Sequence, residues 1–244
     1  MTVAVAARGH RAVARAMLLL AVAAGNALAT TEILVKSLSH PWALAFLPDG
    51  GYLVTEKSGT LRRISADGVV GEPLAGVPPV YFAGQGGLMD VRLHPDFANN
   101  RWVYLSFAHG DVKANATRVV RGTLNEEGLA EVRPVFTAAP MKAAPVHYGG
   151  RLAFLPDGTM FFTEKCAGLS VRTKDGTVNA LYGMNETTGY ADSGDDLFCE
   201  GQAGMLGVVP DRHFAKNRFL FVYSTSTKYH GDGCKTNFER CDGN

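Results

Sequence analysis

The first 165 residues contain no cysteine, and the 244-residue chain is short of charge, with 19% Asp, Glu, Lys and Arg and a formal net charge of +1. So small a balance leaves no electrostatic footprint for a nucleic-acid groove, and an apolar content of 46% does not describe a disordered tail. Long apolar runs are missing as well. The run Ala16–Ala24 is too short to span a bilayer as a helix, and nothing after it could cross a membrane. Beyond residue 30 there is no long helical periodicity, which speaks against an all-helical fold.

The short apolar run has another use. Arg8, Arg11 and Arg15 precede it, and Ala27-Leu28-Ala29 places small residues at cleavage positions, so residues 1–29 read as an export signal. The expected location of residues 30–244 is the periplasm or the medium. In an exported chain the four cysteines, Cys166, Cys199, Cys234 and Cys241, read first as disulfides, and no two are spaced as a metal site would require. The expected pairs are Cys166 with Cys199 and Cys234 with Cys241, out of three connectivities that four cysteines allow.

What the chain does have is glycine, 28 residues of it, and repetition. Leu44 to Gly50 and Leu152 to Gly158 are the same heptapeptide, Leu-Ala-Phe-Leu-Pro-Asp-Gly, 108 residues apart. At that spacing Thr55-Glu56-Lys57 falls on Thr163-Glu164-Lys165, and Asp67-Gly68 on Asp175-Gly176. A further match at a spacing of 117 sets Gln85-Gly-Gly-Leu against Gln202-Ala-Gly-Met and runs on to Phe-Ala-x-Asn-Arg at Phe97 and Phe214.

An apolar run, an Asp-Gly turn and a second apolar run describe a hairpin, because Asp-Gly supplies the positive backbone angles of a tight turn. Further strands are expected at Thr31–Leu38, Thr60–Ile64, Leu88–Leu93, Trp102–Phe107, Thr117–Thr123, Leu169–Arg172 and Phe219–Tyr223. Short strands, glycine-marked turns and a long repeat point to an all-β propeller of four-stranded antiparallel blades, with a sandwich as the competing fold. The 108-residue spacing would hold two to three blades at about 40 to 50 residues each.

Few side chains stand out as chemistry. Gln85 lies among three glycines that let backbone or ligand approach, and its amide could read a polar substrate or simply close a surface turn. His147 precedes Gly149-Gly150 and a strand, at a loop end. Its titration range suits proton removal near neutral pH, although a lone histidine is more often structural. His40 and Trp42 could line a pocket, but a buried Trp anchoring a strand end is the commoner use; His94 reads as a turn residue. Asp192, Asp195 and Asp196 lack calcium-loop spacing and read as a solvated turn. The acceptor patterns at Asn115 and Asn185 read as chance.

Several long phrases, in order, carry a resemblance. They are His-Pro-Trp-Ala-Leu-Ala-Phe-Leu-Pro-Asp-Gly from His40, Thr-Glu-Lys-Ser-Gly-Thr-Leu-Arg from Thr55, Gly-Gln-Gly-Gly-Leu-Met-Asp-Val from Gly84, His-Pro-Asp-Phe-Ala-Asn-Asn-Arg from His94 and His-Tyr-Gly-Gly-Arg-Leu from His147. Residues 30–163 thereby resemble the soluble sugar dehydrogenases that depend on pyrroloquinoline quinone (PQQ), the glucose and sorbosone dehydrogenase family and its aldose dehydrogenase branch. The resemblance implies a six-bladed propeller holding PQQ and calcium, and oxidation of an aldose to its lactone.

It also implies His147 as general base and Gln85 as sugar contact, with Val146 where the family has Asp or His. The electron acceptor is unspecified. Residues 164–244 resemble the opening of a cysteine-bearing branch of the same superfamily, so the chain is expected to be an incomplete propeller, a fragment or fusion. Segments matching the family's quinone-binding and calcium-binding residues are not found, so cofactor-binding residues are unassigned. The alternative is a non-catalytic partial propeller that at most binds a sugar or a protein.

Overall fold

In the computed structural model the residues described are 33–182 and 204–224. The signal region, Cys199, Cys234, Cys241, the aspartates at 192, 195 and 196, and Asn185 lie outside them. Among the described residues fourteen strands form four antiparallel sheets in chain order. Sheet 1 holds β1 (Pro41–Phe46), β2 (Tyr52–Glu56), β3 (Thr60–Ile64) and β4 (Val70–Pro73). Sheet 2 holds β5 (Leu88–Leu93), β6 (Trp102–Gly110), β7 (Asn115–Leu124) and β8 (Leu129–Thr137). Sheet 3 holds β9 (Leu152–Phe154), β10 (Met160–Glu164), β11 (Gly168–Arg172) and β12 (Val178–Tyr182). Sheet 4 is represented by β13 (Met205–Pro210) and β14 (Leu220–Ser224). Each four-stranded sheet is a simple meander, the up-and-down blade of a propeller. The described blades do not close into a ring, and the fold is an incomplete propeller.

The repeat governs the backbone atom by atom. Phe46 pairs with Tyr52 and Leu44 with Val54, as Phe154 pairs with Met160 and Leu152 with Phe162. Both Asp-Gly turns close in the same way: Gly50 N–H donates to Leu47 O at 3.0 Å and Gly158 N–H to Leu155 O at 3.0 Å, with the glycines at φ 84° and 90°. A carboxylate accepts from the residue two positions on, Asp49 from Gly51 N–H and Asp157 from Thr159 N–H, each at 3.0 Å. The second offset holds as well. The helical turns α1 (Phe97–Asn100) and α2 (Phe214–Asn217) both end on an arginine in the left-handed region, Arg101 at 56° and Arg218 at 61°.

The unit repeated is therefore a pair of blades. The core between sheets 1 and 2 contains Ala45, Leu47, Leu53, Leu61, Leu88, Val91 and Phe97. Between sheets 3 and 4 the corresponding places are filled by Ala153, Leu155, Phe161, Leu169, Met205, Val208 and Phe214. Sheets 2 and 3 meet in a different seam, where Tyr104, Val119, Leu152, Met160 and Phe162 are buried and Trp102, Phe136 and Phe154 pack around them. The position expected as a boundary between segments, 163/164, falls inside β10.

The entering strand expected at Thr31–Leu38 is not formed over its described residues. Residues 33–38 carry no strand, and the first strand begins at Pro41. Instead Ser39 N–H donates to the buried Glu56 carboxylate at 2.7 Å, which bends the chain into sheet 1. Alternation of Ile33 and Val35 had no sheet edge to meet. Cys166, the one cysteine among the described residues, is not a free thiol.

Leu53 and Phe161 are repeat equivalents in separate cores. Leu53→Ala should cost about 2–5 kcal/mol and Phe161→Ala about 3–5 kcal/mol, measured by denaturant unfolding, and the double variant should lose nearly the sum, since the sites share no partner. A strongly non-additive result would show that the two cores act as one.

Candidate active site

The ends of the first strands converge on a cleft of about 300 Å³. Every sheet contributes: Trp42 from β1, Met89 and Asp90 from β5, Gly150 and Arg151 leading into β9, and Met205 from β13, with Lys57, Gln85 and Tyr148 from the connections. A concave site with a few convergent polar groups is where ligand chemistry is expected first.

Gln85 and His147, 62 residues apart, are joined at this cleft. The His147 backbone N–H donates to Gln85 Oε1 at 2.8 Å, and Gln85 N–H donates to Pro145 O at 2.9 Å. Such close approach requires Gly84, which has φ 55° and whose Cβ would lie 2.5 Å from Pro145 O. His147 is itself left-handed at φ 65°, a conformation uncommon outside glycine, held here by the bonds around it. Gln85 lines the cleft, with its amide oxygen engaged by the His147 backbone; the Tyr148 and Gly149 that follow His147 also line it.

The connection 138–151 that carries His147 is pinned at both ends. Upstream, Asn115 and Lys142 exchange backbone hydrogen bonds at 2.8 and 2.9 Å. The Asn115 amide donates to Asp111 O and Ala143 O, each at 3.1 Å, and its oxygen accepts from Tyr148 Oη at 2.5 Å. Burial, with Tyr81 adding to it, pushes the Tyr148 phenol up to about 12, so it stays a donor. Asn115 is fully buried, which agrees with its acceptor pattern being a chance match.

Downstream, Asp90 is only 2% exposed. Its carboxylate accepts from Leu152 N–H at 2.9 Å, Arg151 at 3.2 Å and Arg92 at 3.3 Å. Ser106 Oγ completes the joint, donating to Gly150 O at 2.6 Å and accepting from Asp90 N–H at 3.0 Å. Gly149 has no room for a side chain, since a Cβ would lie 2.2 Å from Thr163 O.

The electrostatics are one-sided. Lys57 lies 5.0 Å from the Trp42 ring centroid and Lys142 lies 4.0 Å from that of Tyr148. Burial pulls Lys142 and Lys165 below the usual lysine range, Lys142 adding to the effect on Lys165. The His147 imidazole is held below its ordinary value first by burial, then by the Lys165 and Lys142 charges. It is therefore neutral at pH 7, the form that can accept a proton.

Trp42 corrects an expectation. It is half-exposed and faces the cleft, not a buried anchor, because residues 42, 44 and 46 point away from the core that Ala43, Ala45 and Leu47 enter. His94 is structural: its ring stacks on Tyr104 and its Nδ1 accepts Asp96 N–H at 3.1 Å. The roles of Asp90, Asn115, Tyr148 and Lys165 at the site were not read from the sequence. Asp90 alone left a signal, a carboxylate inside the otherwise apolar strand Leu-Met-Asp-Val, which burial obliges to be paired.

Comparison with known proteins gives the family. The Glucose / Sorbosone dehydrogenase family model matches twice, over residues 38–165 and again over 152–243. The chain belongs to the glucose/sorbosone dehydrogenase family. Among relatives of this family, the aldose sugar dehydrogenase YliI of Escherichia coli is 43% identical over 142 residues, 57% of this chain and 38% of that protein. The quinoprotein glucose dehydrogenase B of Acinetobacter calcoaceticus is 28% identical over 141 residues, 54% of this chain and 30% of its own.

Among solved structures, the apo soluble aldose sugar dehydrogenase of E. coli superposes with a TM-score of 0.65 at 31% identity, covering 80% of this chain and 59% of that one. The PQQ-bound aldose sugar dehydrogenase of Streptomyces coelicolor gives 0.59 at 26%, with the same coverage. This chain thus spans well under two thirds of the dehydrogenases it matches.

The family's two cofactors can be tested against these residues. For the carboxylates of PQQ, Lys57 in the lining, with Lys142 and Lys165 close by, has the right sign, while the Arg151 charge is shared with Asp90. For calcium no residues are assigned: among the described residues no three His, Cys, Asp or Glu side chains come together.

The His147 C–H resonances should titrate with a midpoint below 6.5, and Lys165→Gln should move it upward, since removing a nearby cation stabilises the imidazolium. A midpoint at or above the ordinary value, unmoved in the variant, would contradict this electrostatic picture.

Proposed function

We propose that this chain carries the proton-abstracting side of a PQQ-dependent aldose dehydrogenase site, and that by itself it turns over little or no sugar. The observation that supports this most directly is the hydrogen bond between His147 N–H and the Gln85 carboxamide, which fixes the expected base beside the expected sugar contact. Neutral His147 takes the proton of the anomeric hydroxyl. Gln85 orients the sugar while its amide oxygen holds the base in place. When bound, PQQ supplies the two-electron acceptor for the hydride lost from the anomeric carbon; Lys57, with Lys142 and Lys165 close by, would hold its carboxylates.

Val146 stands beside the base where the family has a hydrogen-bonding Asp or His, and Gln85 holds the His147 backbone there. Base and contact achieve nothing unless the acceptor lies within hydride reach. Residues that would position the quinone and calcium within that reach are not assigned in this chain, and low turnover is expected on that ground.

A dye-reduction assay with PQQ, calcium and a panel of aldoses, beside His147→Ala, tests the second half of the proposal: near-background rates are expected. Robust turnover abolished in the variant would overturn it. The sugar contact has its own readout. Aldoses should perturb the His147 ring resonances, and Gln85→Ala should weaken that response about tenfold or more; no perturbation at high sugar concentration would sink the assignment.

The two family matches share residues 152–165, the stretch holding the second heptapeptide. This supports reading residues 30–163 and 164–244 as two openings of related propellers joined at that phrase. We propose further that the chain is exported, with Cys166–Cys199 and Cys234–Cys241 bonded. Mass analysis from the native host should show loss of residues 1–29 and no reactive thiol; an intact N-terminus with four free thiols would refute export.

The second reading, a partial propeller that binds a protein partner, is favoured by one observation, the apolar side chains left exposed on β1 and β14.

A further inference from the structure

The internal repeat makes those two exposed faces interpretable. At the seam between sheets 2 and 3, Phe154 of β9 packs on Tyr104 of β6 with ring centroids 4.8 Å apart, and Leu152 is fully buried beside them. Moving back by 108 residues turns Phe154 and Leu152 into Phe46 and Leu44 of β1, which are 70% and 43% exposed. Moving forward by 117 turns Tyr104 and Trp102 into Phe221 and Phe219, which are 60% and 63% exposed. The β1 part of sheet 1, Leu44 and Phe46, thus copies the β9 part of the surface that sheet 3 presents to sheet 2, while Val54, the copy of Phe162, is already buried. The β13–β14 hairpin copies the β5–β6 part of the surface that sheet 2 presents to sheet 3; Val119 and Phe136 of that surface have no counterpart among the described residues. These are the matching strands of one seam, repeated and left apart.

We infer that the β1 face of one copy of this chain docks on the β13–β14 face of a second copy, reproducing the seam between sheets 2 and 3. Complementarity is built in because both halves descend from a pair that already packs within the chain. The polar joint of the original seam has no copy. Asp90 corresponds to Gly207 and Ser106 to Tyr223, while their partners Arg151 and Gly150 correspond to Ala43 and Trp42. Where the internal seam has an ion pair and a hydroxyl, the intermolecular one offers Trp42 and Tyr223, so no charge is buried unpaired. Exposed aromatics of this kind are what anchors an interface. Because the two faces differ, the contact is heterologous, head to tail.

Light scattering coupled to size exclusion, over a range of concentrations, tests the contact. Wild type should self-associate. Phe46→Asp and Phe221→Asp should each weaken association by at least about 30-fold, with circular dichroism and melting unchanged because both side chains are exposed. Mixed in equal amounts, the two variants should form a dimer and nothing larger, since each keeps the half that the other lost. Val69→Asp, an equally exposed apolar residue in the β3–β4 turn, should change nothing.

Leu44→Asp and Tyr223→Asp provide an independent pair on the same two faces. A wild-type monomer at high concentration would overturn the inference. So would association that survives either single substitution, or variants that stay monomeric when mixed. A contact between two β1 faces, or between two β13–β14 faces, is distinguished by the first pair, because one variant alone would then remain dimeric.

Discussion

A buried carboxylate forms the polar joint in the otherwise apolar seam between the second and third blades. Asp90 leaves β5 in the second blade and accepts the first backbone N–H of the third, while Arg151 and Arg92 balance its charge. Breaking a buried, paired charge by removing its partners costs about 3–5 kcal/mol, several times the worth of an exposed ion pair such as Arg63 with Asp49. Because Ser106 ties Asp90 to Gly150, the same joint fixes the far end of the connection that carries His147. The near end is fixed by Asn115. Between them Gln85 captures the His147 amide, and the left-handed backbone there is kept by its surroundings.

The repeat explains where such joints are needed. Within each pair of blades the core is apolar and was simply copied, Leu53 becoming Phe161 and Leu88 becoming Met205. Copying did not preserve the charged pairs. Arg62 pairs with Glu56 at 2.9 Å in the first blade, but in the third its place is taken by Ser170, and burial pushes the Glu164 carboxyl up, with the Ser170 hydrogen bond opposing it. The third blade thus carries an acid without its cation beside a lysine, Lys165, that lowers His147. The local field at the base differs from that at the corresponding place in the first copy, Ser39, and so does the backbone, which turns left-handed at His147 in one and at His40 in the other.

The fold was legible because its signals are local: an Asp-Gly turn needs a positive φ at Gly50 and Gly158, and alternating apolar residues need a face. The extra strand read over Thr31–Leu38 shows the limit, since alternation creates a strand only where an edge is available to pair with it. Gln85 and His147 were visible as residue types beside glycines. Their mutual hydrogen bond was not, because a contact 62 residues apart depends on the register of two blades. Trp42 was misplaced for a similar reason: its side follows from which face of β1 meets the second blade. Neither the acceptor pattern at Asn115 nor the phrase that contains Tyr148 points to their hydrogen bond, and only the crossing of two segments makes them a pair.

If Asp90 is the joint described, its removal should be felt at the site and not in the first blade. Hydrogen exchange followed by mass spectrometry, comparing wild type with Asp90→Ala, gives the most direct test. Amides in residues 145–155 should lose protection by at least about 100-fold, the equivalent of 3 kcal/mol at a locally opened site, while those of β2 and β3 keep theirs. Unchanged protection across 145–155, or a uniform loss over the whole chain, would contradict the account.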